Sequence, residues 1–136
     1  MTDPPLDPIR EFLRRQGAPY SVIASGLQGL VDNWTRVVGM VEQSYPLTLD
    51  DYLNDMDGRQ LLENALGLAP DEVRQSFIGR VNDADMRIRL QLVPAGRCLW
   101  GAIVAEEEGW TEASNWWYFE RPRFPGAQLK ADLEAG

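Results

Sequence analysis

Residues 22–45 read VIASGLQGLVDNWTRVVGMVEQSY, and this stretch decides the fold. Its apolar residues recur in steps of three and four, the spacing of a single stripe along an α-helix. The members of the stripe are Val22, Ile23, Leu27, Leu30, Val31, Trp34, Val37, Val38, Val41 and Tyr45. Pro46 ends the pattern because a proline cannot continue a helix. The sequence therefore predicts a long helix with one buried face.

Helix-start and helix-stop residues place one helix before this stretch and another after it. Asp7 is a favourable N-cap for a first helix, and Gly17 ends that helix. A third helix begins at Thr48, with acidic residues in its first turn that complement the helix dipole. Gly58 interrupts its apolar stripe, so we expect a kink or two shorter helices there. Gly67 is the expected C-cap.

The fourth helix begins near residues 70–72, where proline and acidic residues suit a helix start. Its end is ambiguous, because residues 86–92 alternate between apolar and polar in the manner of a strand. Two acid-before-base pairs at a spacing of four, such as Asp83 with Arg87, instead favour a helix. We expect the helix to continue to about residue 90 and residues 94–96 to break the chain.

The C-terminal third has strand-like patterns. Residues 98–105 are predicted as a buried strand, residues 106–109 as a turn, and residues 115–120 as an aromatic strand. The two strands would pair as a long-looped hairpin, and a short helix would follow over residues 127–133. The predicted fold class is thus α+β and predominantly helical. About four N-terminal helices precede a C-terminal β-hairpin or extended aromatic segment, in a single domain over residues 1–136.

The composition excludes several kinds of chemistry. Thirteen basic and 21 acidic residues give a net charge of −8, which argues against nucleic-acid binding because phosphate contacts need clustered Lys and Arg. The absence of histidine excludes a Ser-His-Asp triad, a Cys-His pair and an imidazole metal site. Cys98 is the one cysteine and is expected to be a buried thiol. We predict no catalytic residue, no metal site and no cofactor.

The sequence predicts no secretory or membrane segment. The N-terminus is acidic and proline-rich, unlike the basic and apolar start of a signal peptide. The longest apolar run, residues 99–105, falls far below the ~20 residues of a membrane-spanning helix. We therefore expect no membrane partner and a cytoplasmic location.

Charge is unevenly distributed, and the acidic part supplies the first candidate site. Residues 42–72 hold eight acids and one base, a net charge of −7, whereas residues 73–97 sum to +3. Asp51, Asp55, Asp57 and Arg59 in the acidic segment are candidate contacts for a basic protein partner. The alternatives are a solvated acidic face, a loose cation site formed by the three aspartates, and internal packing of the two segments against each other.

The densest group of aromatic and arginine residues supplies the second candidate site. Trp116, Trp117, Tyr118 and Arg121 are candidate partner contacts, because aromatic residues and arginine are common at protein interfaces. On a strand, Trp116 and Tyr118 would face one way while Trp117 and Phe119 face the other. One pair would fill the core. A helix, a partner or a ligand would cover the other pair.

Three functions are compatible with these features. The preferred interpretation is a small acidic protein-interaction module, such as an inhibitor or immunity-protein-like binder of a basic partner. The first alternative is a structural subunit or homodimer joined through the aromatic segment. The second is a carboxylate-dependent enzyme or small-ligand binder that uses the aromatic segment as a platform. Two carboxylates facing one cleft beside exposed aromatic residues would favour the second alternative.

Overall fold

The computed structural model describes residues 8–18 and 20–135, with residues 20–25 described by their backbone alone. The predicted N-cap Asp7 lies outside the described residues. Four N-terminal helices precede a small antiparallel sheet, so the prediction of a mainly helical α+β fold is confirmed. The elements are α1 Pro8–Arg15, α2 Tyr20–Glu42, α3 Leu49–Leu68, α4 Asp71–Arg89, β1 Leu92–Pro94, α5 Ala102–Glu108, a 3₁₀ turn Trp116–Tyr118, β2 Glu120–Pro122 and α6 Ala127–Ala135.

Helix α2 lies at the centre of the bundle and contacts α1, α3 and α4. Its predicted apolar stripe is buried from Leu27 onward, with Trp34, Val37 and Val38 almost fully removed from solvent. Gly26 has φ 57° and ψ −144°, a conformation that side chains disfavour, and it kinks the helix near its start. The long-helix prediction is confirmed, with this kink added.

Helix α3 runs without interruption through Gly58, so the predicted kink is wrong. Thr48 and Asp51 form a capping box, in which the Thr48 hydroxyl accepts from the Asp51 N–H at 3.1 Å and the Asp51 carboxylate accepts from the Thr48 N–H at 3.3 Å. A glycine costs up to about 1 kcal/mol in a helix, and the buried residues on either side of Gly58 outweigh this cost. The helix continues past Gly67, and Ala69 is its C-cap.

Helix α4 follows Pro70 and ends at Arg89, which confirms a helix rather than a strand up to about residue 90. Its arginines pair with acids on α2: Arg80 with Asp32 at 2.8 Å, and Arg87 with Glu42. The pairing of Arg87 with Glu42 agrees with the alternative in which the basic segment packs against the acidic one.

The predicted strands of the C-terminal third are wrong, although an antiparallel pair is present. Residues 102–108 form α5, and residues 116–118 form a 3₁₀ turn. The paired strands are β1 and β2, with Leu92 opposite Pro122 and Pro94 opposite Glu120. A strand would have placed Trp117 and its neighbour Tyr118 on opposite faces, whereas the turn lets both side chains enter the core.

Helix α6 packs against the connection between α2 and α3. The Gly126 N–H donates to the Tyr45 carbonyl at 3.1 Å, and the Asp132 carboxylate accepts from the Leu49 N–H at 3.0 Å. Leu129 and Leu133 join the core, where Cys98 is also buried as predicted. In the described part of the chain, no helix combines the length and the apolar character that crossing a membrane requires.

Candidate functional site

The three candidate aspartates of α3 each accept hydrogen bonds from within the protein. Asp51 caps the helix through Thr48. Asp55 accepts from the Tyr45 hydroxyl, and burial raises the pKa of its carboxyl above the usual value. Asp57 accepts from the Tyr118 hydroxyl at 2.6 Å and, at the same oxygen, from the Trp100 indole at 3.1 Å. Asp55 and Asp57 therefore connect α3 to other segments.

The fourth candidate of the acidic segment, Arg59, lies inside the protein and is only 4% exposed. Its guanidinium donates to both carboxylate oxygens of Asp85, at 3.0 and 2.8 Å, and to Glu63 at 2.9 Å. It also lies over the Trp117 ring, 4.5 Å from the ring centroid. Because every one of these contacts is internal, Arg59 offers no surface to a partner.

The aromatic candidates are divided between the core and the surface. Trp117 and Tyr118 are each only 1% exposed, whereas Trp116 and Arg121 are half-buried. The predicted alternation is therefore wrong, because the two inward-facing residues are neighbours in sequence. The Arg89 guanidinium lies over the Trp116 ring, with its Cζ atom 4.7 Å from the ring centroid. Arg121 lies on β2 opposite Val93.

The structure brings Asp57 and Tyr118 together at the edge of a groove of about 740 Å³. One wall is the face of α3 that carries Asp57, Gln60, Leu61 and Asn64. A second wall follows the end of α5 and is formed by Glu108, Trp110, Asn115 and Tyr118. Gln16 and Ala18, from the end of α1, complete the lining. We refer to this site as the α3–α5 groove.

Hydrogen bonds and ring stacking hold the walls of the α3–α5 groove in place. The Asn115 amide donates to the Gln60 side-chain oxygen at 2.8 Å and accepts from the Thr111 N–H at 3.1 Å. Trp110 stacks on Tyr118, with ring centroids 3.9 Å apart and an interplanar angle of 16°. Burial and the hydrogen bond to Asp57 raise the pKa of the Tyr118 phenol above its usual value, so its hydroxyl remains a hydrogen-bond donor to Asp57 well into the alkaline range.

The α3–α5 groove is negatively charged. Asp57 of α3 and Glu108 at the end of α5 both line it, and none of the described residues that line it is basic. A smaller cleft of about 400 Å³ also contains two acids, Glu112 and Glu120, but there Arg89 lines the same cleft. Arg89 lies within 3.5 Å of Glu120, so the smaller cleft already contains a cation of its own.

Helix α5 forms an exposed surface next to the groove. All seven of its residues are described, and none of them is buried. Ile103 is 73% exposed, and Trp100, just before the helix, is also exposed. Glu107 lies one helical turn from Ile103 and shares its face, and Glu106 is likewise exposed. We call Trp100, Ile103, Glu106 and Glu107 the α5 surface.

Sequence reasoning did not select several residues that form the groove. Trp110 and Glu108 belong to recognisable aromatic and acidic runs, but the predicted strands placed them in loops outside the candidate site. Gln60 and Asn64 are spaced as on one helix face and give no signal that distinguishes them from ordinary solvated amides. Only the packing of the α5 segment against α3 identifies them.

Comparisons with known proteins add no relative: no protein-family model, curated protein or solved structure matches this chain. Within the described ranges, no group of three or more acids or cysteines is arranged to hold a metal ion. The candidate site is therefore defined by its geometry and charge alone.

Proposed function

We propose that this protein is a non-catalytic binding module that holds a basic protein partner through the α5 surface. The observation that carries the proposal is the exposed face of α5. None of its seven residues is fully buried and Ala105 packs against the core, yet the helix presents a large apolar side chain, Ile103, to solvent together with acidic neighbours. Interfaces commonly combine an apolar centre with a charged rim.

Charge supports a basic partner over other partners. From residue 98 to residue 120 the sequence contains five acids and no base. The exposed acids of the α5 surface, unlike Asp55 and Asp57, have no hydrogen bond or ion pair among the described residues. Such a surface attracts a positively charged protein, accelerates association and repels nucleic acids. An inhibitor or immunity protein of a basic enzyme has these properties.

A second candidate function, binding of a small ligand, is favoured by the α3–α5 groove. Two carboxylates, Asp57 and Glu108, line one groove beside Trp110. The shared groove supports a ligand-binding role in part, because its aromatic residue Trp110 is half-buried rather than exposed. A pocket of a few hundred Å³ lined by aromatic and polar side chains is of a size that small ligands occupy.

Affinity purification from the native host tests the protein-binding proposal if the proteins retained by the wild type are compared with those retained by variants of the α5 surface. The bait proteins are the wild type, Ile103→Glu and the double variant Glu106→Gln/Glu107→Gln. Leu90→Glu is the matched control, because Leu90 is 75% exposed at the C-cap of α4 and lies outside the α5 surface. We expect the wild type and the control to retain one basic protein, and both α5 variants to lose it.

The purified pair then gives the decisive measurement. Binding of the basic protein to the wild type should weaken steeply with rising salt, because the exposed charges are screened. A partner that is acidic, that binds equally well at high salt, or that the α5 variants retain as fully as the wild type would contradict the proposal.

A further inference from the structure

The α3–α5 groove contains the same components that this chain uses to hold its own buried arginine. Around Arg59, a carboxylate pairs with the guanidinium, a second carboxylate adds a hydrogen bond, and an indole ring lies 4.5 Å away. The groove offers two carboxylates, Asp57 and Glu108, and the indole of Trp110, without a basic residue among its described lining.

We infer that the α3–α5 groove binds the guanidinium of an arginine side chain from the basic protein partner. This inference rests on the proposed function, because it assigns the groove to the same partner as the α5 surface. The two are continuous: Glu108 ends α5 and lines the groove, and Asp57 of the groove accepts a hydrogen bond from Trp100 of the α5 surface.

The hydrogen-bonding groups of the groove favour a planar group with several donors. Tyr118 and Trp100 both donate to Oδ1 of Asp57, which fixes the orientation of that carboxylate and leaves Oδ2 without a described partner. The Gln60 amide donates to Asn64, so this pair presents ordered amides along the same wall. Guanidinium is planar with five N–H donors, whereas a lysine ammonium is a compact, strongly hydrated charge.

The aromatic pair provides a second reason to choose arginine. Trp110 stacks on Tyr118, and both rings line the groove together with Asp57 and Glu108. Guanidinium groups stack on aromatic rings, and such contacts contribute more when they are shielded from water. Anionic ligands are disfavoured because two carboxylates line the groove.

Peptide titration followed by NMR tests the inference directly. The probe is acetyl-Gly-Arg-Gly-amide, and the readouts are the Trp110 indole N–H and the side-chain amides of Gln60 and Asn64. We expect saturable shifts at these groups, with a Kd on the order of millimolar because a single side chain makes the contact. The same peptide with citrulline, which has the shape of arginine without its charge, should cause no saturable shift.

Two glutamine variants separate the groove from the general negative field. Glu108→Gln should weaken binding of the arginine peptide about two- to fivefold, as expected for loss of an exposed ion pair. Glu134→Gln removes the same charge from an exposed position of α6 that does not line the groove, and should leave the Kd unchanged. Both glutamates are exposed, so neither change threatens the fold.

Three results would overturn the inference. The first is the absence of shifts at the groove, the second is equal binding of the citrulline peptide, and the third is equal weakening by the two variants. If the guanidinium ion alone saturated the groove with the same Kd as the arginine peptide, the groove would instead be assigned to a free small cation. None of these results affects the capture experiment, which depends on Ile103, Glu106 and Glu107. Failure of the groove and failure of the proposed function are therefore distinguishable.

Discussion

Arg59 of α3 and Asp85 of α4 are joined by two parallel hydrogen bonds, Nε to Oδ1 at 3.0 Å and Nη2 to Oδ2 at 2.8 Å. The Trp34 indole of α2 donates to the same Asp85 oxygen at 2.8 Å. Three helices thus meet at one carboxylate. The arginine is buried and the aspartate is largely buried, so this pair has no role at the protein surface.

Removal of the Arg59 guanidinium should strongly destabilise the fold. Arg59→Met leaves the Asp85 charge without its main partner in a poorly solvated position, and breaking a buried pair in this way costs about 3 kcal/mol or more. Urea unfolding followed by circular dichroism measures the change in the free energy of unfolding.

Arg80→Met is the matched control for this prediction. It breaks an interhelical pair between α4 and α2 in which both side chains are about half exposed. Exposed pairs contribute roughly 0–1 kcal/mol, so the control should lose little stability. Equal losses for the two variants would show that burial of Arg59 does not govern its contribution.

The protein should unfold in alkali as its tyrosines ionise. Burial is the main cause that raises the pKa of Tyr45, Tyr52 and Tyr118 well above the usual value. The folded state therefore holds these phenolic protons more tightly than the unfolded state, in which the pKa is about 10. The resulting stability is complete below pH ~10 and is lost as the pH rises further toward the folded-state values.

Parallel titrations check this prediction. Tyrosinate absorbance and the helical circular dichroism signal should change together, and Tyr118→Phe should reduce the absorbance change by one tyrosine. Three of the four tyrosines are buried, and their raised pKa values should keep them protonated near pH ~10 in the folded protein. Ionisation of two or more tyrosines near that pH while the helical signal is intact would contradict the prediction.

Asp55→Asn should be at least as stable as the wild type at neutral pH. The raised pKa of Asp55 means that its protonated form is favoured in the folded state, so its contribution is favourable below the ordinary carboxyl pKa and is lost as the pH rises. Asparagine removes the buried charge and keeps an oxygen that accepts from the Tyr45 hydroxyl. Any advantage of the variant should disappear in acid.

Asp50→Asn, on the same helix, should have the opposite effect on stability at neutral pH. Asp50 is exposed in the first turn of α3, where a negative charge complements the helix dipole by about 0.3–1 kcal/mol. This variant should lose stability at neutral pH. Thermal unfolding of both variants at neutral and acidic pH compares them, and a clear loss for Asp55→Asn at neutral pH would refute the expectation.

Gly126→Ala should destabilise the docking of α6. A Cβ at this position would lie 2.5 Å from the Tyr45 carbonyl oxygen and 2.9 Å from that of Ser44, and both obstacles are backbone atoms that cannot rotate away. The clash would also lengthen the Gly126–Tyr45 hydrogen bond, so a cost of about 1–3 kcal/mol is expected.

Gly79→Ala is the matched substitution with the opposite expected sign. Gly79 lies in the exposed face of α4, and no neighbouring atom is within 4 Å of a Cβ built there. Alanine should therefore raise stability by about 0.5–1 kcal/mol through its better helix propensity. Urea midpoints of the two variants that move in the same direction would contradict the steric argument.

Sequence reasoning succeeded where a strong periodic pattern coincided with local capping signals. The stripe of α2, the Thr48 start of α3 and the end of α4 near residue 90 were all predictable for this reason. The predicted kink at Gly58 was wrong because the low helix propensity of one glycine acts only at its own position. The buried residues on both sides of Gly58 together stabilise one continuous helix.

The C-terminal third was less predictable because short elements there depend on distant contacts. Apolar runs of this length fit a strand or a buried helix equally well. Strand β2 pairs with β1, and not with residues 98–105, because the intervening segment folds back on α3 through Tyr118 and Asp57. The groove results from that same long-range contact, which no local pattern encodes.

A backbone hydrogen bond from the Leu99 N–H to the Tyr118 carbonyl, 2.8 Å long, closes the base of the segment that carries α5. Strand β1 precedes this segment and strand β2 follows it, and their pairing holds both ends of the segment together. The exposed side chains of α5 can therefore be exchanged without repacking the helices beneath. Such an arrangement makes the exposed positions within residues 102–108 a natural place for grafting a new binding sequence onto a constant framework.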